Sequence, residues 1–220
     1  DATNPPPDVF AAGSYVYVTW PDLRVMYEFP SEFAGILDSI GIGGEDSFAE
    51  MFVLEPALVG GGVKTTRKGC GEFHLTVRGV AAHAGVDPDK GASAVHELAA
   101  QIVDLLRVRD MAPGVSLNVG MISGGTRPNV VAEEARATID VRVTTSEAAT
   151  RVAATIRDRA PTIQGTRIEV TGGFDRPPLE RTDAIARLYE RARALATRLG
   201  HDLQEGGTGG GSDGNFTAAL

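Results

Sequence analysis

The period of the hydrophobic pattern changes several times between residues 71 and 173, and this succession constrains the fold more than any other sequence feature. At 71–77 the apolar Phe73, Leu75 and Val77 alternate with polar residues, which is the period of two of a half-buried strand. After a polar loop, apolar residues recur at three- and four-residue spacing and predict an amphipathic helix. These residues are Ala92, Val95, Leu98, Ala99, Ile102, Leu105 and Leu106.

Four further segments complete the succession. Strands are predicted over residues 115–122 and 135–143. Thr144, with Glu147 three residues later, forms a capping box that predicts the start of a second helix. A last strand is predicted over 167–170, ending at a pair of glycines. The order β-α-β-β-α-β is typical of an α+β ferredoxin-like sandwich, in which both helices cover one face of an antiparallel sheet.

The segments on either side of this unit do not fit into it. Upstream, the apolar run at 51–54 predicts a buried strand that ends in the carboxylate of Glu55. Downstream, the spacing of apolar residues predicts a helix over about 183–199. The opening of the chain fits neither period well, although Tyr15–Trp20 favours a strand. We therefore expect residues 1–50 to be an unmatched N-terminal segment.

Charge and cysteine content exclude several classes of protein. The 220 residues carry 21 Lys and Arg against 29 Asp and Glu, a net charge of −8, which disfavours nucleic acid and anionic membranes as partners. The single cysteine, Cys70, cannot form a disulfide within the chain. No apolar run approaches the roughly 20 residues of a membrane span, and the first residues lack a signal-peptide pattern. A reducing, cytoplasmic location is therefore expected.

The four histidines form no recognisable zinc-binding motif. None begins a His-x-Asp sequence, and the helical segment that starts at His96 departs from the zinc-protease motif at its fifth position, Ala100. His96 is therefore expected on an exposed or half-buried helix face, and His201 in a loop. His83 lies among small residues at the end of a strand, which leaves its imidazole reachable. Taken alone, such a histidine is more often structural than catalytic.

Glycine is the most over-represented residue type, with 27 residues where an average content of about 7% predicts fewer. The cluster at 206–214 contains a formal G-x-G-x-x-G at Gly209, Gly211 and Gly214. No apolar strand precedes it, so nucleotide binding is the least supported interpretation. Two others stay open. The cluster is either a flexible surface loop or a loop whose backbone offers N–H donors to an anion, with a helix beginning near Asn215.

Five strings of sequence, in this order and spacing, resemble the zinc-dependent exopeptidase and amidohydrolase family of carboxypeptidase G, aminoacylase and succinyl-diaminopimelate desuccinylase. They are VLEPA at 53–57, RGVAAHAGVDPDKGASAV at 78–95, ISGGTRPNVV at 122–131, ATIDVR at 137–142 and GGTGGGSDGNFTAA at 206–219. The chain is most similar to the glutamate carboxypeptidase type. The resemblance implies a catalytic α/β domain with two zinc ions, into which a ferredoxin-like lid that usually mediates dimerisation is inserted.

The resemblance also implies roles for individual residues. Glu55 is then a carboxylate ligand of one zinc ion. His83 is the lid histidine that reaches the partner subunit's active site and stabilises the developing oxyanion. Five residues are expected to bind the substrate, with the Arg142 guanidinium on its free carboxylate: Asn129, Arg142, Gly209, Gly210 and Gly211.

The same resemblance divides the chain into catalytic-domain fragments at 51–68 and 179–220 and a complete lid at 69–178. The implied reaction is metal-assisted hydrolysis of an amide next to a free carboxylate, in a small peptide or N-acyl amino acid, by a homodimer that pairs through the lid. The His-x-Asp motif, the bridging aspartate, the Glu-Glu pair expected near 30–32 and the last histidine ligand are missing from the sequence.

These missing ligands lead us to expect a partial chain that is inactive as written. The alternative function is a non-catalytic ferredoxin-like module for dimerisation or binding.

Overall fold

Three strands form a separate sheet near the start of the chain. The computed structural model describes the backbone of these strands and residues 56–219, without the side chain of Thr217. Strands β1 (Asp8–Ala12), β2 (Tyr15–Trp20) and β3 (Leu23–Glu28) form an antiparallel sheet in that order. Strand β2 confirms the strand expected at 15–20. The strand expected at 51–54 lies outside the described residues, as does Glu55.

The chain divides into two compact units, one of residues 1–64 with 183–206 and one of residues 65–182 with 207–220. The helix expected at 183–199 is confirmed, and its most buried side chains are Tyr189 and Ala196. In chain order the elements are β4 (Val63–Arg67), β5 (Gly69–Arg78), α1 (Ala94–Leu105), β6 (Ser116–Gly124), β7 (Glu134–Val143), α2 (Ser146–Arg157), β8 (Arg167–Arg176), α3 (Asp183–Arg198), β9 (Glu205–Thr208) and α4 (Gly214–Thr217).

The second unit contains the ferredoxin-like sandwich that the sequence predicted. Its four strands pair antiparallel in the order β6-β7-β5-β8, so the chain's first and third strands of this unit lie at the centre. Phe73, Leu75 and Val77 of β5 are fully buried and pack with the apolar residues of α1 and α2 in one core. Both helices therefore cover the same face, because successive side chains of a strand point to opposite faces.

Helix α1 leaves part of its predicted apolar stripe exposed. Leu98 and Leu105 lie in the core, as the sequence predicted, whereas Val95 and Leu106 of the same predicted stripe are exposed. A polar side chain, Gln101, is buried instead. The stripe prediction was therefore wrong for part of the helix, because a buried polar network takes up one side of it and leaves apolar residues outside the core.

The buried polar network centres on Glu97, which has 0% exposure. Its carboxylate accepts hydrogen bonds from the Gln101 side chain at 2.7 Å and from the backbone N–H groups of Thr162 and Ile163 at 2.9 and 2.6 Å. Burial would raise the pKa of Glu97, but these hydrogen bonds outweigh it and lower the pKa overall. Glu97 therefore fixes the loop between α2 and β8 to helix α1 as a charged group.

The second helix of the sandwich is capped one residue later than expected. The Oγ1 atom of Thr145 accepts a hydrogen bond from Ala148 N at 3.1 Å, which makes Thr145 the N-cap of α2. Thr144 instead donates its hydroxyl to Pro113 O at 3.0 Å. The capping box predicted at Thr144 and Glu147 was therefore wrong by one position, although the helix itself is confirmed.

Strand β8 is longer than predicted. The pattern placed its end at Gly172 and Gly173, but pairing with β5 continues to Arg176. Gly172 has a φ of +87°, and a Cβ atom there would overlap the Glu72 carbonyl of the neighbouring strand. The glycine thus permits an irregular strand to continue at a place where glycines more often mark a turn.

Candidate functional site

Arg142 lies in a row of side chains at one end of the four-stranded sheet. It is opposite Cys70 of β5 on one side and Ser116 of β6 on the other. Cys70 is in turn opposite Arg176 of β8. The row therefore crosses all four strands, and of its members the sequence predicted a binding role for Arg142 alone.

The guanidinium of Arg142 is held from two sides. Its Nε atom donates to Asp140 Oδ1 at 2.9 Å and its Nη2 atom to Asp140 Oδ2 at 2.7 Å, while Nη1 donates to Cys70 Sγ at 2.8 Å. The hydrogen bond with Asp140 raises the pKa of Arg142 above its already high ordinary value. Three of the five N–H donors are thereby used. Within residues 56–219, one N–H on each Nη atom is left to donate to a ligand.

A second guanidinium, that of Arg176, reaches the same place through an irregularity in the sheet. The pairing of β5 with β8 shifts by one residue between Cys70 and Gly71, so Arg176 rather than Asp175 lies opposite Cys70. The guanidinium stacks over the Phe216 ring at 5.0 Å, and no carboxylate of the described part of the chain pairs with it. This end of the sheet is therefore rich in positive charge.

The glycine cluster packs against these arginines. A Cβ atom on Gly211 would lie 2.6 Å from Arg176 Cδ and 2.9 Å from Cys70 Sγ, so only glycine fits there without displacement. Gly209 and Gly210 have open space beside their α carbons. The Gly210 carbonyl accepts a hydrogen bond from Arg67 Nη1 at 3.1 Å. Burial, and then repulsion from Arg176, lower the pKa of Arg67.

The cluster therefore contacts this end of the sheet through Gly211 and through the Gly210 carbonyl. Its G-x-G-x-x-G at 209–214 follows strand β9, but that strand is Glu-Gly-Gly-Thr and not the apolar strand that dinucleotide binding requires.

His83 and Asn129, which the sequence analysis also selected, come together in a different place. His83 forms an isolated bridge with Val130, and Ala84 N donates to the Asn129 carbonyl at 3.0 Å. The His83 side chain is exposed and its Nδ1 atom accepts a hydrogen bond from Gly85 N at 3.1 Å. Because Nδ1 is an acceptor, the neutral ring carries its proton on Nε2, where it can be donated to a ligand.

These two groups lie at opposite ends of the same sheet. Cys70 and Arg142 are at the start of β5, whereas the segment that carries His83 follows Arg78 at its end. Eight residue steps along β5 separate the ends by about 26 Å, at about 3.3 Å per residue. Within one chain, the fold therefore brings His83 next to Asn129 and Arg142 next to the glycine cluster, but it does not bring the two pairs together.

No metal centre is visible in the part of the chain that the structure describes. Within residues 56–219, no three His, Cys, Asp or Glu side chains converge on one point. The described donors therefore do not fit a zinc site, and the predicted ligand Glu55 lies outside them. His96 is exposed on α1 and His201 lies in the loop after α3, as the sequence predicted. In the same described residues, no helix has the length and apolar character to span a bilayer.

Several site residues escaped the sequence analysis. Asp140 and Arg142 stand two apart on β7, which places both side chains on one face of a strand and was a usable signal. Arg176 was missed because its strand was expected to end at the glycines before it. Cys70 and Arg67 reach the site only through pairing between distant parts of the chain, which no local pattern shows.

Comparison with known proteins shows which proteins this chain is similar to. Residues 65–167 match a family described as "Peptidase dimerisation domain". The chain is 26% identical over 155 residues to carboxypeptidase G2 of Pseudomonas sp., covering 68% of this chain and 37% of that enzyme. It is 38% identical over 101 residues to a probable carboxypeptidase of Arthroderma otae, covering 40% of this chain and 21% of that protein.

A solved structure supports the fold assignment. The aminopeptidase PepT from Bacillus cereus shares the fold with a TM-score of 0.65 at 19% identity, over 97% of this chain and 65% of that chain. Residues 65–167 are thus similar to the dimerisation domain of M20 peptidases, and the chain as a whole is similar to part of these carboxypeptidases. It spans well under half the length of the two curated relatives named above.

Proposed function

We propose that this chain is the lid and part of the substrate site of a hydrolase that cleaves an amide next to a free carboxylate, in a small peptide or an N-acyl amino acid. The observation that carries the proposal is the guanidinium of Arg142, whose remaining N–H groups can donate to a carboxylate. Asp140 and Cys70 hold the other donors, so this face is presented without rearrangement. Arg176 and the open backbone at Gly209 and Gly210 support a negatively charged ligand.

In this proposal His83 donates from Nε2 to the oxygen that becomes negative during amide cleavage. The hydrogen bond from Gly85 N to Nδ1 supports the required tautomer, and exposure of the ring leaves Nε2 reachable. His83 and Arg142 lie at opposite ends of the sheet, so both can serve one substrate only if they come from different chains. We therefore propose that the active unit is a homodimer.

The edge of the sheet at β6 is where we propose that two copies pair. Strand β6, SLNVGMISG, has no charged residue, whereas the opposite edge strand β8 has four. Exposed edges without charge are templates for pairing with another strand. Met121 and Ile122 are 64% and 62% exposed, and Val95 of α1 is exposed beside Gly124 of the same strand. Ile122, opposite Ala137 of the core, lies with Val95 on the helix-covered face of this edge, and Met121 lies on the opposite face.

Antiparallel pairing of β6 with a second β6 would follow a two-fold axis, as in most homodimers. It sets the Ser116 end of one copy beside the Gly124 end of the other. Ser116 lies opposite Arg142, whereas Gly124 lies at the end of the sheet that carries His83. Such a pairing therefore brings the His83 end of one sheet towards the Arg142 end of its partner, which a single chain does not do.

Two zinc ions per subunit and a ligand role for Glu55 remain expectations from the family resemblance. The described residues supply no ligand set. The roles proposed for Arg142 and His83 are instead argued from the hydrogen bonds of their own side chains. The inactivity expected for the 220-residue chain is likewise a prediction. Metal content and hydrolysis of N-acyl amino acids by this chain would check it, and stoichiometric zinc with turnover would contradict it.

The proposed function is tested with matched substrates in the full-length protein that carries these residues. N-acyl amino acids should be hydrolysed, whereas the corresponding C-terminal amides, which lack the carboxylate, should be poor substrates. Arg142→Met should abolish this preference. Equal turnover of acid and amide by the unaltered protein would overturn the assignment of Arg142 to the substrate carboxylate.

Sharing of the site between subunits is tested by mixing two inactive variants. His83→Ala should lower kcat by about 100- to 1,000-fold, the effect of removing one oxyanion donor. His96→Ala, on an exposed helix face, is the matched control and should have little effect. When His83→Ala and Arg142→Met proteins are dissociated and reassembled together, about a quarter of the activity should return, because half of the dimers then hold one intact site. Failure to recover activity would contradict the shared site.

The alternative is a non-catalytic module that only dimerises or binds carboxylates. The uncharged edge of β6 favours dimerisation in either case, because it does not depend on catalysis. Dimer formation together with absence of turnover in the metal-loaded full-length protein would favour this alternative.

A further inference from the structure

The buried side chain of Asn215 connects the glycine cluster to the residue before β5 and to the residue after β8. Its exposure is 0%. The Oδ1 atom accepts a hydrogen bond from Ser212 N at 2.9 Å, and the Nδ2 atom donates to Pro177 O at 2.7 Å and to Lys68 O at 3.2 Å. The carboxamide therefore uses both of its donors and its acceptor within the protein, so its orientation is determined by its partners.

The two carbonyls that Asn215 binds are next to the strands that carry the site. Lys68 immediately precedes β5, which begins with Gly69 and Cys70, and Pro177 immediately follows Arg176, the last residue of β8. The third partner, Ser212, follows Gly211, which packs against Cys70 and Arg176. One amide thus joins the start of β5, the end of β8 and the end of the glycine cluster.

We infer that Asn215 is a positioning residue that holds the glycine loop at 209–211 on Cys70 and Arg176, and so shapes the carboxylate site without touching the substrate. This inference rests on the proposed function for the meaning of the site. Without the amide, the carbonyls of the half-buried Lys68 and Pro177 and the N–H of the buried Ser212 would each lose a hydrogen bond, which disfavours the closed position of the loop. The Ser212 N–H would lose its side-chain acceptor, whereas the backbone hydrogen bond from Asn215 N to Ser212 O at 3.1 Å would remain.

Cys70 reports on the position of this loop. It is the single cysteine of the chain, it is half-buried, and its Sγ atom lies beneath Gly211. Alkylation by iodoacetamide therefore measures how often the loop lifts away. In the 220-residue protein we expect Asn215→Ala to raise the alkylation rate about tenfold or more, the factor that corresponds to about 1.4 kcal/mol in the opening equilibrium.

Gln101→Ala is the matched control. Gln101 is also a buried carboxamide with three partners, namely Glu97, Ala160 and Arg159, but it lies in the network beside α1. It should lower global stability without a comparable rise in Cys70 alkylation. Local opening of the loop should also depend weakly on low urea concentrations, whereas global unfolding depends on them steeply. Equal rates in the two variants would overturn the inference.

A second variant and a ligand-protection measurement complete the test. If Asn215→Ala does not fold, Asn215→Asp keeps the shape and the acceptor but loses both donors, and it should show the same rise. Protection of Cys70 by N-acetyl-L-glutamate tests the site itself. The unaltered protein should be protected, and the Asn215 variants should need at least several-fold more ligand. Absence of protection in the unaltered protein would contradict the proposed function, whereas protection that is equal in all variants would contradict the role of Asn215.

Discussion

Arg142 is held in position by two side chains of the protein. Asp140 takes two of its donors and Cys70 a third, so little side-chain freedom remains to be lost when a ligand binds. An arginine in a bidentate pair presents its remaining donors in a fixed plane, which a lysine cannot do. At the scale of residues, the site therefore depends on the partners of Arg142 as much as on Arg142 itself.

Asp140→Asn should raise KM for an N-acyl amino acid in the full-length protein about tenfold, which corresponds to about 1.4 kcal/mol of binding. The physical reason is loss of the charged acceptor that orients the guanidinium. Asp104→Asn, which weakens an arginine pair with Arg159 elsewhere in the lid, is the control. An unchanged KM for Asp140→Asn would contradict the positioning role of Asp140.

Because of Glu97, the stability of the protein should depend on pH. Its pKa is lowered in the folded protein, so the unfolded chain binds this proton more tightly. The stability that Glu97 provides is therefore present above its unfolded pKa of about 4.3 and is lost as pH falls through the lower folded value. Glu97→Gln should lower the free energy of unfolding at pH 7 by roughly 1.5–3 kcal/mol, the range for a hydrogen bond to a charged group.

Urea unfolding between neutral and acid pH measures this effect. The difference in stability between Glu97→Gln and the unaltered protein should shrink as the pH is lowered. A difference that stays constant with pH would show that the Glu97 charge does not matter.

At the scale of elements, helix α2 is capped by Thr145 and not by its neighbour Thr144. Thr145→Ala should lower the free energy of unfolding by about 1 kcal/mol, because Ala148 N loses its acceptor. Thr145→Ser keeps a hydroxyl oxygen and should retain most of the stability. Thermal or urea unfolding of the sandwich measures both variants. An equal loss in the two would argue that the cap hydrogen bond contributes nothing.

The elements of the sandwich were predictable because each has a clear hydrophobic period, with apolar residues on the face that packs in the core and polar residues on the other face. β5 alternates without exception from Phe73 to Val77, so its strand and its buried face were both correct. For α1 the pattern located the helix but not its buried side. Glu97 and Gln101 are buried because a loop about 60 residues away supplies their partners, and local pattern carries no information about that loop.

The site was less predictable than the fold for a related reason. Arg142 was found through its resemblance to a family, whereas its partner Cys70 becomes visible only when β5 and β7 are placed in register. Asn215 was expected merely near the start of a helix. Its role depends on carbonyls at Lys68 and Pro177, which are separated from it by 147 and 38 residues.

At the scale of the whole molecule, pairing through β6 should determine the oligomeric state. Ile122→Lys should weaken self-association of the 220-residue chain at least about tenfold, since a charge buried without a partner costs more than about 1.4 kcal/mol. Leu199→Lys is the matched control, because Leu199 is 56% exposed and follows α3, outside the sandwich. Sedimentation velocity measures both. A monomeric unaltered chain, or equal weakening by the two variants, would contradict pairing at this edge.

The one-residue shift between β5 and β8 has an electrostatic consequence for the entire molecule. In a regular ladder Cys70 would face Asp175, and the extra residue places Arg176 there instead. Aspartate and arginine differ by two units of charge, so a slip of a single backbone position converts a neighbour that repels carboxylates into one that attracts them. In a chain whose net charge is −8, this register places a positive charge beside Cys70 and Arg142, where it would attract an anion.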